Sequence, residues 1–249
     1  MLITDPWFYA AAAPAVLLMG LSKSGFGSGF GALAVPMMAL AMPVPQAAAI
    51  MLPLLAIMDG FGLAALWRER DRALIRLLVP AGLVGTVIGT VLFGWLSAPV
   101  VAGVVGALTL AFVGIRRFFP PRADAPPPSR GLGRVLGAVA GFTSFVAHAG
   151  GPPVGFYVLP LKLTPVVFTA TMAVFFAAIN LSKWIPYAWL GLIDTTNMLA
   201  SLVLAPLAPL GVWLGVRVVR RVPQRLFYVL FEIGMVLTGA KLLWDSLRV

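Results

Sequence analysis

The chain alternates long apolar runs with short polar segments, and glycines and polar residues interrupt two of the runs near their centres. Six uninterrupted runs reach about the 20 residues that a helix needs to cross a bilayer. They predict membrane spans at 46–67, 74–96, 99–119, 166–189, 195–216 and 226–244. The interrupted runs, 7–42 and 135–163, are too long for one ordinary crossing. Each therefore predicts a broken helix or a hairpin, and its freed backbone must be buried or line a cavity.

The composition is that of a membrane protein. Of 249 residues, 61% are hydrophobic and 10% are charged, whereas soluble domains carry about 25% charged residues. The mean hydropathy is +1.00. The net charge of +10 is better explained by arginine-rich cytoplasmic loops than by nucleic-acid binding. The chain has no cysteine, which excludes disulfides and thiolate metal sites.

Arginine clusters set the predicted topology. They lie at 68–76, 116–134 and 217–225, and the positive-inside rule places all three in the cytoplasm. A single crossing by 135–163 would put the last cluster outside, so this segment is better drawn as a hairpin that returns to the cytoplasm. The same counting lets 7–42 be a hairpin entered from the opposite face.

The two halves of the chain align at a nearly constant offset. The matched pairs are Gly20 with Gly141, Gly29 with Gly150, Trp67 with Trp189, Pro99 with Pro223, and Gly114 with Gly239. They predict a duplication, with repeats at 1–119 and 134–249 and a cytoplasmic proline-rich linker at 120–133. One hairpin plus three spans makes an odd number of crossings, so the second copy is inverted. The predicted fold is an all-α polytopic membrane protein of two inverted repeats whose hairpin tips meet near the midplane.

The interrupted segments resemble the sulfite exporter TauE/SafE family. GLSKSGFGSGFGALAVPMMALAMP, from Gly20, is similar to the first-repeat signature of that family. GFTSFVAHAGGPPVGFYVLPLKL, from Gly141, with the following PVVFTATMAVFFAAINLSKWIPYAWLG, is similar to the second. The resemblance implies export of sulfite, sulfoacetate or another small anion across a bacterial inner membrane, without a bound cofactor.

The breaks carry residue types that suit a small anion. Glycines leave backbone amides open, a half-helix points its positive end at the gap, and hydroxyls and cations add donors. The candidate substrate-binding residues are Ser22, Lys23, Ser24, Gly25, Gly27, Ser28, Gly29, Ser144, His148, Ala149, Gly150, Gly151, Tyr157, Asn180 and Lys183. Structural alternatives stay open for each: glycines as packing devices, serines bonded to their own helix, lysines that snorkel or pair with an acid, and core packing for the rings.

Asp59 is the candidate for proton coupling, because a carboxylate near mid-span must face the protein interior or a water-filled path. A structural pair between Asp59 and a lysine is the alternative, and Glu232 in the last span is a second proton candidate. The lone histidine, His148, has no neighbouring ligands with which to hold a metal.

Three classes of function remain. The favoured one is a secondary anion exporter working by alternating access, with proton coupling as an option. The others are an uncoupled channel or carrier for another small ligand, and a membrane scaffold without transport. An enzyme is disfavoured because the chain has no HExxH, GxSxG or P-loop motif. The expected partners are a small anion and the lipid bilayer; homo-oligomerisation stays open.

Overall fold

The computed structural model describes residues 3, 5–27, 31–93, 95, 97–118 and 127–247, and these residues contain helices and no strand. Ser28, Gly29 and the first part of the predicted linker lie outside the described residues. The helices are α1 (Pro6–Gly25), α2 (Ala34–Met38), α3 (Val44–Leu66), α4 (Arg72–Leu92), α5 (Ala98–Phe118), α6 (Arg130–Ala147), α7 (Gly151–Val158), α8 (Pro165–Trp189), α9 (Thr195–Leu204), α10 (Leu207–Val219) and α11 (Gln224–Leu247).

The protein is an all-α, multi-pass membrane protein, which confirms the predicted class. Among the described residues, 4 helices are long and apolar enough to cross a membrane, and the number rises to 5 if α9 and α10 are counted as one bent span. The four are Gln46–Glu69, Arg72–Leu92, Pro165–Trp189 and Gln224–Leu247.

Two boundaries differ from the sequence prediction. The span predicted at 195–216 is two helices, α9 and α10, bent by 48°, and Pro206 lies at the break, where its missing N–H interrupts the helical hydrogen bonds. The second difference is that α6 begins inside the predicted linker. The hydroxyl of Ser129 accepts from the backbone N–H of Leu132 at 3.2 Å and caps the helix at Arg130.

The second interrupted segment folds back on itself. A Cβ added to Gly133, near the start of α6, would lie 2.6 Å from the ring of Tyr157, near the end of α7. The backbone oxygen of Leu163 then accepts from the hydroxyl of Tyr228 at 2.7 Å. In the first segment, Phe8 of α1 and Met38 of α2 belong to the same buried apolar cluster. The beginning and the end of the second segment therefore lie close together, and α1 and α2 of the first segment contribute to one apolar core.

Helices of the first half pack against helices of the second. The main pairs are α1 with α10, α4 with α6, α5 with α11, and α3 with α8. Glycines allow the closest approach, because a Cβ on Gly85 would lie 1.8 Å from the oxygen of Ala138, and one on Gly141 would lie 1.9 Å from that of Gly82. Small residues of this kind let membrane helices approach each other closely. The packing leaves the ends of α1 and α6 next to α3 and α8.

Candidate functional site

Lys183 is the centre of a buried polar network. It lies on α8 with 0% of its surface exposed. Its Nζ donates to the backbone oxygen of Ser144 at 2.7 Å, to the hydroxyl of Ser144 at 2.8 Å and to Oδ1 of Asn180 at 3.3 Å. It also lies 3.3 Å from Nδ1 of His148. All of these partners are neutral acceptors.

The network continues to the carboxylate of Asp59 on α3. Lys23, in the last turn of α1, forms an ion pair with Asp59, with Nζ 2.7 Å from Oδ1. Asn180 donates from Nδ2 to the other oxygen, Oδ2, at 2.9 Å. Since the amide of Asn180 donates to Asp59 and accepts from Lys183, it connects Lys183 with the ion pair between Lys23 and Asp59. Four helices, α1, α3, α6 and α8, thus contribute to one network.

His148 ends α6 in a backbone conformation that side chains rarely adopt. Its φ is 50°, in the left-handed region, and its N–H donates to the oxygen of Ser144 at 3.1 Å. Because the ammonium of Lys183 can only donate, Nδ1 of His148 is the acceptor, and this assigns the neutral tautomer with hydrogen on Nε2. That Nε2 is buried and meets no strict hydrogen-bond geometry among the described residues, and the backbone of Ala48 interacts with the same ring. An acceptor that enters the site would compete with the Ala48 backbone for the ring donor.

A small cavity of about 20 Å³ lies inside the network. Its lining residues come from both interrupted segments and from α3 and α8: Met19, Lys23, Gly31, Leu55, Ser144, His148, Gly151, Phe176 and Asn180. A volume of this size holds about one water molecule. An oxyanion larger than water therefore needs the surrounding helices to move apart.

Helix ends add fixed partial charges around the cavity. Ser144 lies in the last turn of α6, whose negative end favours the ammonium that donates to it. Gly151 begins α7, with Pro152 and Pro153 in the first turn, and it lines the cavity. The positive end of α7 is thus directed at the same space. In the first half, α2 has only 5 residues, so its N-terminus carries no partial charge comparable to that of α7.

Several predicted residues lie in the packing around the network. A Cβ on Gly25 would meet the Cα of Gly215 at 3.1 Å, and one on Gly27, whose φ is +54°, would meet the ring of Phe168 at 2.5 Å. Gly150 faces the oxygen of Ala140 at 2.6 Å. These glycines allow close packing, and α7 reaches the cavity through Gly151.

The remaining predicted residues fall into two groups. Ser22 lies beside the cavity-lining Gly31, whose added Cβ would be 3.7 Å from the Ser22 hydroxyl oxygen. Ser24 is buried and faces Gly62 on α3. In contrast, Ala149 and Tyr157 belong to buried apolar clusters. Glu232, the second proton candidate, lies partly exposed on α11.

Besides Gly31, three lining residues were not predicted from the sequence: Met19, Leu55 and Phe176. They are apolar residues inside apolar runs, so composition does not distinguish them. Helical periodicity distinguishes them, because Met19, Leu55 and Phe176 each lie four residues before a polar residue of the network. These polar residues are Lys23, Asp59 and Asn180. Positions i and i+4 share a helix face, so polar residues at mid-span point to apolar neighbours that face the same cavity.

The described residues contain no group of three or more acidic or histidine side chains that could hold a metal ion. The sequence matches the family described as Sulfite exporter TauE/SafE over residues 12–242. The chain belongs to the sulfite exporter TauE/SafE family. TauE/SafE proteins are transporters, and the matched range includes residues 12–42 of the first interrupted segment, all of the second and every residue of the network. Neither the curated proteins nor the solved structures contain a match to this chain.

Proposed function

We propose that the protein is a secondary transporter that exports a small anion of the sulfite and sulfoacetate class across the bacterial inner membrane. It works by alternating access, with Asp59 as the site of proton coupling. The observation that carries the proposal is the ammonium of Lys183, which is buried among neutral acceptors.

A buried cation without a negative partner is costly, and such residues in membrane helices mark ion or substrate pathways. Among the described residues, the network contains two lysines and one carboxylate, and that carboxylate is paired with Lys23. With its ionisable groups charged, the network has one positive charge in excess. A bound anion would balance it and accept hydrogen bonds from Lys183 and His148.

The small cavity favours a carrier over an open channel. The network encloses about 20 Å³, which is too small for free passage of an oxyanion. A carrier needs a closed intermediate of this kind, and the helices around the site then open to one face at a time.

The inverted-repeat arrangement is part of the proposal. It is supported by matching contacts between the halves. Helix α1 packs on α10, and α6, which corresponds to α1 in the second repeat, packs on α4. It is supported as well by the position of Leu163 beside Tyr228, at the start of α11. Two hairpins entering from opposite faces would bring Lys23 and Ser144 to one site.

Flux into proteoliposomes tests the function. The purified protein is supplied in turn with sulfite, thiosulfate, sulfoacetate and simple carboxylates, with and without a pH gradient. We expect uptake of at least one sulfur oxyanion above protein-free liposomes, and faster uptake with a gradient of the correct sign. No uptake of any anion would contradict the proposal, and uptake that ignores the gradient would restrict it to an uncoupled permease.

A further inference from the structure

We infer that the site accepts one net negative charge at a time: a monoanion alone, or a dianion together with a proton on Asp59. This inference rests on the proposed function and specifies the charge class of its substrate. It follows from the number of charges that the fold brings into the closed network.

The charges around Asp59 come from two helices. Lys23 of α1 pairs with it directly, and Lys183 of α8 reaches it through Asn180. His148, after α6, accepts from Lys183 and is neutral for the reason given above. With both lysines and Asp59 ionised, the count is therefore two positive charges and one negative charge.

The other helices that pack against α3 leave this count unchanged. Neither α2 nor α9 contains a titratable side chain. On α10, Arg217 stacks over the ring of Trp213 at 3.7 Å. In the turn after α3, Glu69 pairs with Arg220 at 3.3 Å, and both side chains are partly exposed to solvent.

Charge balance then separates two classes of substrate. A monoanion neutralises the excess charge of Lys183 and leaves the ion pair between Lys23 and Asp59 intact. A dianion in the same cavity would be repelled by the carboxylate, and like charges close together in a buried site are strongly unfavourable. If Asp59 binds a proton, Lys23 loses its partner, and two cations then face two negative charges. The proton enters with the dianion and leaves with it.

Two sulfonates of similar size isolate this effect. Isethionate carries one negative charge, and sulfoacetate adds a carboxylate and carries two. Their equilibrium binding is measured by competition against the best anion of the flux panel, between about pH 6 and about pH 8, where both probes keep their charge. We expect sulfoacetate to bind more weakly as the pH rises, by up to about tenfold per pH unit for one linked proton. Isethionate binding should change much less.

Variants test the assignment to Asp59. Asp59→Asn removes the carboxylate and leaves two unbalanced lysines, so it should raise the ratio of sulfoacetate to isethionate affinity by at least about tenfold at the higher pH, or about 1.4 kcal/mol. It should also abolish the pH dependence. Lys23→Gln combined with Asp59→Asn restores a single excess charge and should return the preference to isethionate. Asp245→Asn, at an ion pair with Lys241 near the end of α11, is the matched control.

The outcomes separate this inference from the proposed function. If no anion of the panel binds or moves, the proposed function is wrong, and the charge rule is overturned with it. If anions do bind but both probes respond equally to pH, or if Asp59→Asn leaves their ratio unchanged, the charge rule alone is wrong. Should Asp59→Asn fail to fold, the pH series on the wild-type protein and the double variant decide the question.

Discussion

His148 illustrates how the site depends on single residues. It ends α6 with a φ of 50°, a conformation that costs most side chains about 1–2 kcal/mol relative to the right-handed region. Its ring accepts from Lys183 and is buried at the cavity. Backbone strain of this kind is often retained where a side chain has a functional role. The effect of the backbone conformation on stability and the effect of the ring on anion binding should therefore be separable by mutation.

Glycine and alanine at position 148 make that separation. Both remove the ring, so both should weaken anion binding, whereas only glycine adopts the left-handed conformation without cost. We expect His148→Gly to be more stable than His148→Ala by about 1 kcal/mol, measured as thermal unfolding in detergent. Equal stabilities would show that the backbone at this position is not strained.

The network residues were chosen from the sequence because they are polar residues in apolar runs. The structure brings six of them together: Lys23, Asp59, Ser144, His148, Asn180 and Lys183. A pair between Asp59 and a lysine was one of the sequence-based alternatives, but which of the two lysines forms it was not predictable. Which glycines face the cavity was also not predictable, since that depends on the rotation of each helix against its neighbours.

At the scale of elements, glycine contacts hold the two halves of the molecule together. The crossing of α4 and α6 is the tightest example, because each helix places a glycine against a backbone oxygen of the other. This crossing also fixes the position of α6, whose last turn carries Ser144. Its disruption should therefore affect both stability and binding.

Gly141→Ala tests the crossing. The added methyl group would lie 1.9 Å from the backbone oxygen of Gly82, so the helices must separate, at an expected cost of about 1–3 kcal/mol. Gly60→Ala on α3 is the matched control, because a Cβ there has no atom within 4 Å. Thermal unfolding should show a lower melting temperature for Gly141→Ala only. Equal melting temperatures would contradict the close approach of the two helices.

The apolar runs predicted the long helices, because a bilayer requires continuous apolar length. The bend between α9 and α10 could not be predicted in the same way. Prolines also lie inside α1, α3, α4 and α8 without ending them: Pro14, Pro53, Pro80 and Pro186. Whether a proline ends a helix depends on which neighbouring groups satisfy the freed carbonyl groups. Those neighbours are set by the tertiary structure and cannot be read from the local sequence.

For the whole molecule, the central geometric feature is that the two ends of the second interrupted segment lie close together. Gln224 donates to the backbone oxygen of Lys162 at 3.0 Å, which places the end of the second segment beside the arginine cluster at 217–225. The all-α membrane class and the family were predicted correctly. The inverted orientation of the repeats stays a prediction.

Cysteine labelling tests that orientation, and the chain has no cysteine of its own. Leu163→Cys and Arg221→Cys should react with an impermeant reagent from the cytoplasmic face, because both positions lie near the arginine cluster. Thr195→Cys, at the exposed start of α9, should react only from the opposite face. If residue 163 reacted from the same side as residue 195, the second segment would cross the membrane, and the re-entrant hairpin would be wrong.

The most direct test of the central claim is the affinity of the purified protein for sulfite when Lys183 is replaced by glutamine. The excess positive charge of the network lies on this side chain, and loss of one partner of a buried charge pair costs about 2 kcal/mol or more. Lys183→Gln should therefore bind sulfite at least about thirtyfold more weakly. The matched variant Lys241→Gln, whose lysine pairs with Asp245, should bind like the wild type. Wild-type affinity in Lys183→Gln would contradict the claim that this network is the anion site.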